Sequence, residues 1–149
     1  MLLKQNIYSH YLQMINNKIL SYQQVLADLK ESGSNETKST AGDKHETALA
    51  MLQIEQANVR GQLNEALGQK TALEKINPSI TAAAIVNGSL VKTNRGYFFL
   101  CTALGKAIID GNTVIALSQQ SPLGKKLMGL CKGGVVVTNG NSYVIESID

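Results

Sequence analysis

Two runs of apolar residues at heptad spacing constrain this chain most. Tyr8, Leu12, Ile15, Ile19, Tyr22, Leu26 and Leu29 are separated alternately by four and three residues. That spacing keeps them on one stripe of an α-helix and leaves the stripe needing a partner. A second run, Leu49, Leu52, Gln56, Val59, Leu63, Ala66, Lys70 and Leu73, has the same alternation. Gln56 and Lys70 break it in chemistry but not in register. Between the runs lies Ser32-Gly33-Ser34-Asn35-Glu36-Thr37-Lys38-Ser39-Thr40-Ala41-Gly42, small and polar, which reads as a loop. The least costly partner for each stripe is the other, so the expectation is an antiparallel helical hairpin, or coiled coil, over residues 1–78, with its tip near 33–46. At about 1.5 Å per residue it would run roughly 40 Å. The alternative is that the stripes pair with a second chain, as in a dimeric adaptor.

The pattern changes at Pro78, which ends the second helix. Residues 1–78 carry 8 Lys and Arg against 8 Asp and Glu, and hold 4 of the 13 glycines. Residues 79–149 carry 6 basic against 3 acidic residues, hence the net charge of +3, and 9 glycines. Short β-branched and aromatic runs separated by turns predict strands there: 89–93, 97–102, 107–109, 113–117, 135–138 and 143–146. The turns are Asn94-Arg95-Gly96, Asp110-Gly111-Asn112 and Asn139-Gly140-Asn141. One short helix interrupts them: Ser121 suits an N-cap, Pro122 a first helical position and Gly129 a stop. The fold class is therefore α+β, a helical hairpin followed over residues 79–149 by an antiparallel sheet with one short helix.

Composition narrows the function. No apolar run approaches the roughly 20 residues that span a bilayer, and the first residues carry no signal-peptide pattern. Two cysteines, Cys101 and Cys131, are too few for a disulfide framework and lack zinc spacing. A cytoplasmic protein with free thiols is expected, with no membrane association. The mild charge argues against independent DNA binding. Neither histidine has a second at metal-ligand spacing, and no GxSxG is present. Tyr97, Phe98 and Phe99 read as a strand alternating between core and surface, not as a base-stacking platform.

Two stretches resemble a known family. Ser121-Pro122-Leu123-Gly124-Lys125-Lys126-Leu127-Met128-Gly129, with Gly133 following, is similar to the SPxGxxLxGxxxGD signature of the C-terminal domain of the bacterial Gre transcript-cleavage factors. Gly42-Asp43-Lys44-His45-Glu46 is similar to the GDxxEN motif at the tip of their coiled coil. The order and spacing agree over nearly the whole chain. Thr47 stands where the family has Asn, and Gly134 where it has Asp.

The resemblance implies an FKBP-like C-terminal domain and a transcription elongation factor that acts as a monomer on RNA polymerase. The C-terminal domain would bind near the mouth of the secondary channel, with Ser121, Pro122, Lys125 and Lys126 as contact residues. The tip would present Asp43 and Glu46 to the polymerase active centre, where they would help hold its Mg²⁺ and so assist cleavage of backtracked RNA. The chain would be no enzyme by itself, would carry no cofactor of its own, and would meet nascent RNA only through the polymerase. The alternative within the same resemblance is a non-cleaving or inhibitory channel regulator. From the residues alone, Asp43 and Glu46 are also a sound N-cap and N3 pair. A peptidyl-prolyl isomerase is disfavoured, because residues 79–149 contain no Trp and few aromatics.

Overall fold

The computed structural model describes residues 2–36 and 42–149, with the side chains of residues 35–36 and 42–45 outside the description. Two long helices come first, α1 at Leu2–Glu36 and α2 at Gly42–Glu74. The chain divides into two compact units, Met14–Gly68, and Met1–Gln13 together with Gln69–Asp149.

In the Met14–Gly68 unit the heptad stripes turn away from solvent. Ile15, Ile19, Val59 and Ala66 are buried, and Tyr22, Leu26, Leu29, Leu49, Leu52, Gln56 and Leu63 are half-buried. Leu26 and Lys30 share a hollow with Gln56 and Arg60, while Gly33 and Ser34 share one with Leu49 and Leu52. Residue numbers rise along α1 as they fall along α2, so the two segments pack antiparallel. α1 runs on to Glu36, past Ser32 where the composition suggested a loop. Propagating an existing helix costs little per residue. Residues 37–41 of the expected loop lie outside the described residues.

The other unit is built on six strands: β1 Leu90–Thr93, β2 Gly96–Leu100, β3 Gly105–Ile109, β4 Asn112–Leu117, β5 Val135–Thr138 and β6 Asn141–Ile148. A short helix, α3 at Pro122–Leu127, lies between β4 and β5. The strand order is β3-β4-β2-β1-β6-β5. Two hairpins close through Asp110-Gly111 and Asn139-Gly140, where all four residues have positive φ. That is the backbone a two-residue turn needs to match the twist of its strands. The sheet is antiparallel except between β2 and β4, which run parallel with Phe98 opposite Ile115. The reason is that β3 folds back onto the outer side of β4 and serves as the crossover.

The central strands of this sheet are buried on both faces, while Val135, Val137 and Val144 leave one face exposed at the β5–β6 end. On one, Val91, Phe98, Leu100, Leu117, Val136 and Ile145 pack with Ile85 and with Leu127 of α3. On the other, Leu90, Phe99, Val114 and Ala116 are buried, as are Ile7, Tyr11, Leu73 and Ile76 from the helix ends in the same unit. The Tyr11 ring stacks on Phe99 at 6.5 Å between centroids. Its hydroxyl donates to the Gly105 carbonyl at 2.9 Å and lies 3.3 Å from the Val114 carbonyl.

Two expectations change here. Ile7 and Tyr11, not Tyr8 and Leu12, are the fully buried positions at the start of α1, because the surface they meet is a sheet and not a second helix. Phe98 and Phe99 are both core residues, on opposite faces, because β2 is an interior strand covered on both sides.

Burial also sets a pH dependence. It pushes the Tyr11 hydroxyl up to about 12 from 10.0, with the Cys101 thiolate form adding to the shift. It pushes the Cys101 thiol up to about 11 from 9.0. Between the ordinary and raised values the unfolded chain has lost these protons and the folded chain retains them. Stability is therefore fully present below about pH 9 and falls as the pH rises toward 12. Urea midpoints measured from pH 8 upward should fall along that window, and Cys101→Ala should flatten the first part of the fall. An unchanged profile in the variant would contradict this account.

Candidate functional site: the capped helix and the hairpin tip

The motif around α3 is built by local rules. Ser121 has extended backbone and caps the helix, its Oγ accepting from the Gly124 amide at 3.0 Å and donating to the Ser118 carbonyl at 2.7 Å. Pro122 occupies the first helical position, where a missing N–H costs nothing. Gly124 has no room for a side chain: a Cβ there would collide with the Ser118 carbonyl and press on Ser121 Oγ. The cap is possible because the chain before the helix folds tightly over that glycine. Leu127 is fully buried beneath, and the Met128 amide closes the helix by donating to the Gly124 carbonyl. The Gly129 amide then donates to the Ile85 carbonyl.

Ser121, Pro122, Lys125 and Lys126 thus lie on one short element of the sheet unit. Lys125 and Lys126 are exposed, in the last turn, and neither pairs with a carboxylate among the described residues. Lys126 Nζ donates to the Val137 carbonyl on β5 at 2.9 Å. β5 is an edge strand, and a lysine on its free carbonyl hinders pairing with another strand. That contact between α3 and β5 has no signal in the sequence, because it depends on where β5 falls in the sheet. Gly134 lies in close quarters too: a Cβ would meet the Cys131 carbonyl at 3.0 Å and Ile145 Cδ1 at 3.3 Å.

The tip residues belong to the Met14–Gly68 unit. Asp43 and Glu46 both fall in the opening turns of α2, and a separation of three residues puts them on one side of that helix. Glu46 is exposed. The Asp43, Lys44 and His45 side chains, and Lys38 altogether, lie outside the description. Among the described residues no group of three or more His, Cys, Asp and Glu side chains is placed to hold a metal. Carboxylates are hard oxygen donors of the kind Mg²⁺ takes.

Cys101 is no reactive centre: it is buried, and burial holds its thiol protonated. Cys131 is exposed. His10 is exposed and packs edge-on against Tyr11 at 5.6 Å. Among the described residues no helix is long and apolar enough to cross a membrane.

Substitutions separate the structural residues of the motif from the free ones. Ser121→Ala should lower unfolding free energy by about 1 kcal/mol through loss of the cap. Gly124→Ala should cost on the order of 1–3 kcal/mol through overpacking against backbone. Lys125→Ala should stay within about 0.5 kcal/mol, as exposed positions do. Urea denaturation followed by circular dichroism measures all three, and a large loss for Lys125→Ala would overturn the assignment of that side chain to solvent.

No protein-family model matches the chain, and no curated protein does. Among solved structures the chain is similar to that of the transcription factor Gfh1, at 15% sequence identity and a TM-score of 0.35, covering 95% of this chain and 92% of that one. A likeness that distant carries no assignment of function.

Proposed function

We propose that this chain is a transcription elongation factor of Gre type, which binds RNA polymerase at its secondary channel and stimulates cleavage of backtracked RNA. The observation that carries the reading is the joint presence of two motifs in their family order. An acid pair, Asp43 and Glu46, opens the second helix of an antiparallel hairpin, and a Ser121-Pro122-Leu123-Gly124 helix follows in an α+β unit. On this reading α3 and its exposed lysines dock on the polymerase, Lys125 without any intramolecular duty to give up. Asp43 and Glu46 are delivered as two oxygen donors to the polymerase centre, whose Mg²⁺ supplies the activation of water and the stabilisation of charge in phosphodiester hydrolysis. The chain's own part is to position the pair and to orient water by hydrogen bonding.

A second reading has specific residues in its favour. Thr47 replaces the amide side chain that follows the acid pair in the family motif, and Gly134 occupies a spot where a Cβ would be crowded. A factor that keeps the shape and lacks these groups would occupy the channel without promoting cleavage.

The deciding experiment is RNA cleavage in a purified, backtracked elongation complex of the cognate polymerase. The wild-type chain is compared with a double Asp43→Ala, Glu46→Ala variant, after binding of both has been verified. The expected result is acceleration by wild type, reduced at least about 100-fold in the double variant, in keeping with loss of groups that act on developing charge. Binding without acceleration by either chain would instead establish the channel-occupying reading.

A further inference from the structure

Lys4 is 1% exposed, the only lysine that is buried among the described residues. It lies three residues before Ile7 and seven before Tyr11, on the stripe of α1 that faces the sheet unit's core. Its Nζ donates to the Ile80 carbonyl at 2.7 Å. An ammonium has three protons to place, and removing it from water without partners is costly. Burial accordingly pulls the Lys4 ammonium below the usual lysine value, with the Asp149 carboxylate acting in the opposite sense.

The side chain also forms part of the floor of a half-open cavity of about 210 Å³ within the same unit. Ile76, Gly88 and Ser89 complete that floor and are buried. The exposed lining residues are Lys75, Asn77, Ile80, Thr81, Val86 and Asn87, so the polar groups of the rim stand beside two apolar ones. Among the described residues the lining holds no Asp or Glu, and the carboxylate that acts on Lys4, Asp149, stands outside it. The Asn77 side-chain oxygen accepts from the Ser79 amide at 2.9 Å, which leaves its NH₂ group free to donate. Among the described residues neither Lys75 nor Asn87 has a side-chain partner. Two cations and two amide donors therefore border one small concavity, and the deeper cation has protons to spare.

We propose that this cavity is a binding site for a small oxyanion, held through phosphate or carboxylate oxygens by Lys4 at its floor and Lys75, Asn77 and Asn87 at its rim. The volume suits an inorganic phosphate or a short dicarboxylate. It is below the roughly 300–1,000 Å³ of pockets that enclose larger ligands. Occupancy would complete the hydrogen bonding of Lys4 and tie α1 to the segment between α2 and β1, whose residues form most of the wall. The site is independent of the hairpin tip and of α3, and so of the transcriptional reading.

Calorimetric titration of the full chain at constant ionic strength tests it, with inorganic phosphate and succinate as separate probes and chloride as control. The expected result is saturable, one-site binding of phosphate, succinate or both, and none of chloride. The probe that binds identifies which oxyanion class the site takes. Lys75→Gln should weaken binding by roughly tenfold, the worth of one hydrogen bond to a charged group. Lys4→Met should abolish it. If Lys4→Met fails to fold by circular dichroism, Lys75→Gln and Asn87→Ala, both on the exposed rim, carry the test. Absence of saturation by both probes up to about 10 mM, or equal binding by wild type and the rim variants, would overturn the proposal and leave Lys4 as a clamp on the Ile80 carbonyl.

Discussion

Strands β2 and β4 are apolar on both faces and have to be covered on both, and much of the sheet unit follows from how this chain meets that requirement. α3 and Ile85 cover one face. The other is covered at β2 and β4 by the ends of the two long helices, with Tyr11 against Phe99, while Val135, Val137 and Val144 stay exposed. Tyr11 combines two functions that a purely apolar residue could not. Its ring supplies area over Phe99, and its hydroxyl donates to the Gly105 carbonyl at the start of β3. A Phe there would leave that carbonyl without this donor, at about 1 kcal/mol or more. The consequence is that residues 2–13 and 69–74 belong to the sheet unit, to whose core they give Ile7, Tyr11 and Leu73, although they are continuous with the helices of the hairpin.

The motif at α3 shows how far local structure accounts for residue choice. Ser121 is a cap, Pro122 a helix start, Gly124 a point of contact too close for a Cβ, and Leu127 an anchor. Lys126 has work on the edge strand. Each would be explained in a protein that bound nothing. Lys125 is the residue of the motif that the fold does not use. The acid pair at the start of α2 is the same kind of case, since carboxylates in a first helical turn also interact favourably with the helix dipole. Local stability thus accounts for most of these side chains, which is why the proposed transcriptional reading rests on the motifs and their order rather than on any single residue.

Much of the fold is legible in the residues themselves. Heptad spacing places the second-helix stripe at the positions that are turned from solvent, from Leu49 to Leu73, because a 3.6-residue repeat is a local property. The turns at Asp110-Gly111 and Asn139-Gly140 and the start of α3 are legible for the same reason: φ preferences and capping are decided within a few residues. Of the candidate site, the acid pair is legible as a pair on one side of a helix, and nothing more.

Local chemistry along the chain decides the elements, their order and the α+β class. Tertiary packing decides which surfaces those elements meet. It selects Ile7 and Tyr11 over Tyr8 and Leu12, buries Phe98 and Phe99 together, and sets β2 parallel to β4 across an intervening hairpin. It also places Lys4 at the floor of a cavity walled by residues more than 70 positions away, with a contact spanning 76. Periodicity records that a face is apolar, because the repeat belongs to the chain. It does not record what covers that face, because the covering residues are brought there only by folding.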